Sequence, residues 1–157
     1  MNDLMGKIVS AYRGYLGDRL VSLALFGSRA RGDAQESSDY DLFIVARDLP
    51  AKLWDRQLFL RKPLKPFKES FSVIAKSPEE FEAALPSLYL DLAVDGIILF
   101  DRDDYIAAKF RRIRELIAQA GLRRERIDGE LMWLWDRPVR PGWELEWEGF
   151  VEFTQRR

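Results

Sequence analysis

Two strongly apolar segments, each abutting a compact polar motif, constrain this chain more than anything else in it. Residues 20–26 run through Leu23-Ala24-Leu25-Phe26 into Gly27-Ser28-Arg29-Ala30-Arg31-Gly32, and residues 40–46 carry Leu42-Phe43-Ile44-Val45 directly after Asp39-Tyr40-Asp41. Short apolar runs bounded by turn residues read as buried strands. Successive strand residues face opposite ways, so Asp39 and Asp41 project from one face, roughly 6–7 Å apart along the chain. Two such carboxylates can share divalent cations, and hard oxygen ligands suit Mg²⁺ or Mn²⁺, which take their remaining ligands from water and substrate phosphates. Gly27 permits a sharp turn and a close approach of backbone to ligand. Ser28 brings a hydroxyl and an N–H, and a helix opening there would aim unpaired N–H groups at phosphates. Arg29 and Arg31 flank the turn and are candidates for neutralising phosphate charge. Either motif alone reads as a solvated turn; the pair, each tied to an apolar strand, points to metal-assisted chemistry on a nucleoside triphosphate.

The residue types that are missing narrow the chemistry further. The 157-residue chain contains no Cys and no His. That removes disulfides, thiol catalysis, zinc–thiolate sites, imidazole ligands and Ser-His-Asp triads. Any catalytic metal must then be held by oxygen, which favours the Asp-x-Asp reading over hydrolase alternatives. A formal net charge of −1 gives no general attraction to nucleic acid or anionic membrane. No apolar run approaches the length of a membrane span, and the first 20 residues have no apolar signal core, so a cytoplasmic location is expected.

Gly27, Ser28, Asp39 and Asp41 at this spacing resemble the signature of the nucleotidyltransferase superfamily related to DNA polymerase beta, and most resemble its minimal stand-alone members. Ala30-Arg31-Gly32 and Ser38-Asp39 strengthen the likeness, which is specific over about residues 20–46. The resemblance implies an α/β (α+β) fold with a small mixed sheet flanked by helices. It also implies two metal ions bridging Asp39, Asp41 and the triphosphate of an NTP, most simply ATP, and transfer of NMP to an acceptor hydroxyl with loss of pyrophosphate. Some minimal members are antitoxins that modify a HEPN-type toxin with AMP, so a protein partner is expected, whereas a small acceptor would need a second subunit to complete its site. The family usually has a third carboxylate on a later strand. Here the equivalent position falls near Ser72, and the only acid in residues 69–75 is Glu69, which reads either as the third metal ligand or as a strand-end surface residue. The missing acid keeps open a second class, a nucleotide- or partner-binding module without turnover. Asp91, Asp95 and Asp101 read as helix-face and cap residues.

The remaining pattern supports one domain. Leu4, Met5, Ile8, Val9, Tyr12 and Leu16 have helical spacing, and residues 50–61 read as a helix with Pro50 first. Residues 69–75 read as a third strand, and Ser77-Pro78-Glu79-Glu80 as a capping box opening a short helix. A helical piece over 87–94, a strand over 97–100 and a helix over 104–120 capped by Asp103 and stopped by Gly121 complete residues 1–121, the expected nucleotidyltransferase domain. Residues 122–157 are expected to pack on it as an extension. There, Leu131–Trp135 and Trp143–Trp147 suggest a hairpin turned by Pro141-Gly142, with Trp133, Trp135, Trp143 and Trp147 mainly serving the core. The basic run Lys109, Arg111, Arg112, Arg114, Arg123, Arg124 and Arg126, interleaved with Glu115 and Glu125, reads as a salt-bridged helix face rather than an RNA surface.

Overall fold

The computed structural model describes residues 2–136, 138 and 143–152. Its centre is a four-stranded mixed sheet of β1 (Leu20–Phe26), β2 (Tyr40–Ala46), β3 (Phe71–Lys76) and β4 (Ile97–Asp101), in the order β3-β2-β1-β4. β1 is antiparallel to both of its neighbours, and β2 runs parallel to β3. As a central strand covered on both faces, β1 is buried at every position, which is why its sequence is apolar without alternation.

The period-2 rule, interrupted in β1 by a register shift between Leu20 and Ser22, sorts the core into two layers. Leu23, Leu25, Leu42, Ile44, Phe71, Val73 and Ala75 pack with Met5, Ile8, Tyr12 and Leu16 of α1 (Asn2–Leu16) and Leu60 of α3 (Leu53–Arg61). On the opposite face Val21, Phe43 and Val45 pack with α4 (Pro78–Ala83), α5 (Ser87–Asp95) and α6 (Tyr105–Ala120). The parallel β2–β3 pair needs a crossover, and α3 supplies it.

Several local expectations hold in detail. Ser77 Oγ accepts from the Glu80 N–H at 3.1 Å while the Glu80 carboxylate accepts from the Ser77 N–H at 2.8 Å, a complete capping box. Gly121 ends α6 in the left-handed region, at φ +69°. Others are corrected. The crossover helix opens at Leu53, not Pro50, because the Pro50 carbonyl is taken by Nε of the buried Arg56 and residues 50–52 wrap around it. Asp103 does not cap α6. Both first-turn N–H groups of Ile106 and Ala107 donate to the Asp101 carboxylate, at 2.9 and 3.0 Å, and Asp101 also accepts from the buried Ser22 hydroxyl at 2.7 Å.

Beyond α6 the chain forms two hairpins. β5 (Leu122–Ile127) pairs with β6 (Glu130–Trp135) around Asp128-Gly129, and β7 (Trp143–Glu146) pairs with β8 (Gly149–Glu152). The expected pairing of 131–135 with 143–147 is therefore replaced by two local pairings; the Pro141-Gly142 turn lies outside the described residues. Trp133, Trp135 and Trp147 do pack on the α4–α6 layer, as expected, and Leu145 is buried there; the Trp143 side chain lies outside what is described. Arg123, Arg124 and Arg126 sit on a strand rather than a helix. Among the described residues no helix is long and apolar enough to cross a membrane.

Candidate active site

β1 and β2 are antiparallel, so the end of one lies beside the start of the other: Phe26 is paired with Asp41. The two sequence motifs thereby meet at one edge of the sheet. After Phe26 the chain enters α2 (Gly27–Arg31), whose first residue has φ +70°. A Cβ at Gly27 would stand 2.0 Å from Asp41 Oδ2. Glycine is thus required twice over, by the left-handed backbone and by the carboxylate lying against it. The turn after α2 closes through N–H groups of Gly32 and Asp33 on the Ser28 carbonyl, at 3.0 and 3.2 Å.

Asp41 is half-buried and Asp39 exposed, on the same face of β2 by parity. Desolvation by burial, and then the neighbouring Asp39 charge, hold the Asp41 carboxyl above the ordinary aspartate value; Arg31 acts in the opposite direction. A carboxylate crowded by a second negative charge in this way has unspent affinity for a cation. The pair's all-oxygen donor set fits a hard divalent ion with open positions for phosphate and water. Among the described residues no group of three or more acidic side chains is assembled for a metal.

The neighbouring strand explains why. In the β2–β3 register Asp41 is paired with Ser72, so a hydroxyl stands where a third acid would. Glu69 precedes β3 and shares parity with Phe71 and Val73, the α1-facing side. It lines shallow clefts with Asp3, Lys7, Phe67 and Arg61, on the far face of the sheet from Asp39 and Asp41. The structure does not bring Glu69 to the carboxylate pair.

The two flanking arginines differ. Arg29 turns back on the loop leading to Asp39: Nη2 donates to the carbonyls of Ser38 at 2.9 Å and Glu36 at 3.1 Å, Nε also donates to Ser38, and the guanidinium lies 4.5 Å from the Tyr40 ring centre. These bonds fix the path into Asp39-Tyr40-Asp41. Arg31 is near enough to Asp41 for its charge to favour the ionised carboxylate, and its own donors lie with Nε on Asp33 Oδ2 at 3.2 Å and Nη1 3.6 Å from Asp95 Oδ2. Asp95, read from sequence only as a helix-face acid, thus borders the site through the end of α5. No local signal marks it, because its relevance depends on α5 packing beside α2. A cleft of about 500 Å³ lined by Tyr105, Lys109, Arg112 and Trp147 lies beside the start of α6, at the end of β4 away from Gly27 and Asp41, and does not include the carboxylate pair.

Residues 16–105 match the model of the "Polymerase beta, Nucleotidyltransferase" family. A "putative protein adenylyltransferase" of Methanocaldococcus jannaschii is 30% identical over 122 residues, 74% of this chain and 83% of that protein. Among solved structures, a chain of a toxin–antitoxin crystal structure with AMP-PNP superposes with a TM-score of 0.53 at 20% identity, covering 73% of this chain and 90% of that one. A chain of the tri-AMPylated Shewanella oneidensis HEPN toxin in complex with MNT antitoxin gives a TM-score of 0.50 at 20% identity, over 76% and 92%. At such identities the structural likeness is one of fold.

Proposed function

This chain belongs to the polymerase beta nucleotidyltransferase family, and we propose that it transfers AMP from ATP to a hydroxyl of a partner protein. The observation that carries this reading is the contact between Gly27 and Asp41, which seats a phosphate-sized turn against a carboxylate pair. Gly27 and Ser28 cradle the triphosphate with backbone N–H groups and the Ser28 hydroxyl. Arg31 offsets phosphate charge. Asp39 and Asp41 hold Mg²⁺ or Mn²⁺. An ion held there would supply charge neutralisation for the transferring phosphoryl group. The acceptor oxygen forms a bond to the α-phosphorus, the bond to the β-phosphate bridge breaks, pyrophosphate departs and the hydroxyl proton leaves to solvent. The protein contributes chiefly alignment and electrostatics.

A protein acceptor is supported by the adenylyltransferase name of the archaeal relative and by the AMPylated HEPN toxin complex that shares the fold. An antitoxin role toward a HEPN-type toxin follows from the same likeness. A cytoplasmic setting accords with ATP as donor. We leave Arg29 and Glu69 out of the proposed ligand set, the first because its Nε and Nη2 are engaged with the loop and the second because it lines clefts on the α1 side. Ser72 opposite Asp41 favours a second reading, a binding module without turnover.

Titrating ATP, GTP, CTP and UTP by calorimetry, with and without Mg²⁺, tests the site. ATP binding that needs Mg²⁺ and is lost in Asp39→Ala/Asp41→Ala is the expected result, and no binding to any nucleotide would overturn the reading. Transfer of α-phosphate label from ATP to a co-expressed protein separates the two classes: binding without any covalent label supports the non-catalytic module.

A further inference from the structure

The family match ends at residue 105, yet β5, beyond it, reaches back to the site. Arg124 and Arg126 lie two apart on one face of β5. Arg124 Nη1 donates to Asp91 Oδ1 at 2.9 Å and Asp95 Oδ2 at 2.7 Å, and its Nη2 donates to Asp95 Oδ1 at 2.8 Å. Arg126 Nη2 donates to Asp33 Oδ2 at 3.1 Å. The oxygens Asp95 Oδ2 and Asp33 Oδ2 are the same two that flank Arg31, at 3.6 and 3.2 Å. The sequence Arg124–Asp95–Arg31–Asp33–Arg126 therefore alternates in sign, begins and ends on β5, and has Arg31 at its middle. Trp133, paired with Arg124 across the hairpin, donates to Asp91 at 3.0 Å and stacks near the guanidinium. The Asp95 side chain is only 9% exposed, so these hydrogen bonds stand in for the water it has lost.

We propose that Arg124 and Arg126 are positioning residues for the nucleotide site, holding Asp95 and Asp33 so that these carboxylates orient Arg31 beside Asp41. The inference rests on the reading that Arg31 faces the triphosphate. A carboxylate shared between two guanidiniums is pinned and its charge divided. With the outer arginine gone, it closes on Arg31 alone and draws it from phosphate. The hairpin, outside the family's common part, then sets nucleotide affinity at a distance.

The test is a double-mutant cycle read by calorimetry of ATP with Mg²⁺, with Mn²⁺ alone as a second probe. Arg126 and Asp33 are both well exposed, at 52% and 43%, so neither change threatens folding. Arg126→Ala is expected to weaken ATP binding about tenfold, the scale of one weakened charge-assisted hydrogen bond, while leaving Mn²⁺ affinity unchanged. Arg126→Lys recovers most of the loss. Asp33→Asn also weakens ATP, and adding Arg126→Ala to it costs nothing more, because Arg126 acts through Asp33. Additive losses, an Arg126→Ala affinity within twofold of wild type, or parallel losses of ATP and Mn²⁺ affinity with a lower Tm would each overturn the inference. Wild-type protein that binds no ATP would instead overturn the functional reading beneath it.

Discussion

At the scale of single residues the site is a contest between a carboxylate and its surroundings. Asp41 is held above the ordinary aspartate value, so its ionised form costs stability at neutral pH, and that cost is relieved as pH falls through the raised value. Asp41→Asn is therefore expected to raise Tm in EDTA at neutral pH, with the gain over wild type shrinking on acidification, while the Tm increase given by Mg²⁺ and ATP disappears. Thermal melts across pH check both. Gly27→Ala forces a Cβ to within 2.0 Å of Asp41 Oδ2 in a left-handed backbone. A loss of roughly 1–3 kcal/mol by denaturant titration, together with loss of nucleotide binding, is expected. Gly27, Ser28, Asp39 and Asp41 were legible in the sequence because spacing and strand parity are local properties. Ser72 was placed at the third-acid position by the family resemblance, and the register pairs it with Asp41; the engagement of Asp95 and Arg29 was not legible, because it depends on helix packing and on which carbonyl a guanidinium finds.

At the scale of elements, capping carries the argument. Ser77→Ala removes one half of a complete capping box and is expected to cost about 1 kcal/mol in equilibrium unfolding. Burial pushes the Glu80 carboxyl up, but the Ser77 N–H and the Arg56 guanidinium outweigh it and hold the group below 4.5. Its stabilising contribution is complete above 4.5 and is lost as pH falls through the lowered value. Glu80→Gln should therefore flatten the acid side of the stability curve. The capping box was readable because all its partners lie within four residues. The α6 cap was misread as Asp103: the Asp101 carboxylate reaches past the intervening 3₁₀ turn, anchored by Ser22 on a strand far away in sequence. Asp128-Gly129 between Ile127 and Glu130 is a strong hairpin signal, and it was available for the β5–β6 pairing that the tryptophan pattern obscured.

At the scale of the whole molecule, the arginines of the basic run are paired within the chain, several of them at its surface. Arg111 pairs with Asp104, Arg112 donates to the Trp147 carbonyl, Arg114 to the Ala93 carbonyl, and Arg123, Arg124 and Arg126 to aspartates. Protein purified at moderate salt is expected to carry no nucleic acid, judged by its 260/280 nm absorbance ratio, and to retard no RNA in a gel. The sequence by itself determined the four core strands and the Gly-Ser and Asp-x-Asp motifs at their ends, since periodicity, turn residues and donor type are written in neighbouring residues. Only the tertiary structure decided between the two readings of Glu69, setting it against α1 and away from the carboxylate pair, and closed an ion chain around Arg31 from a distant hairpin. Those facts come from strand register and layer packing, which bring together residues that no local pattern connects.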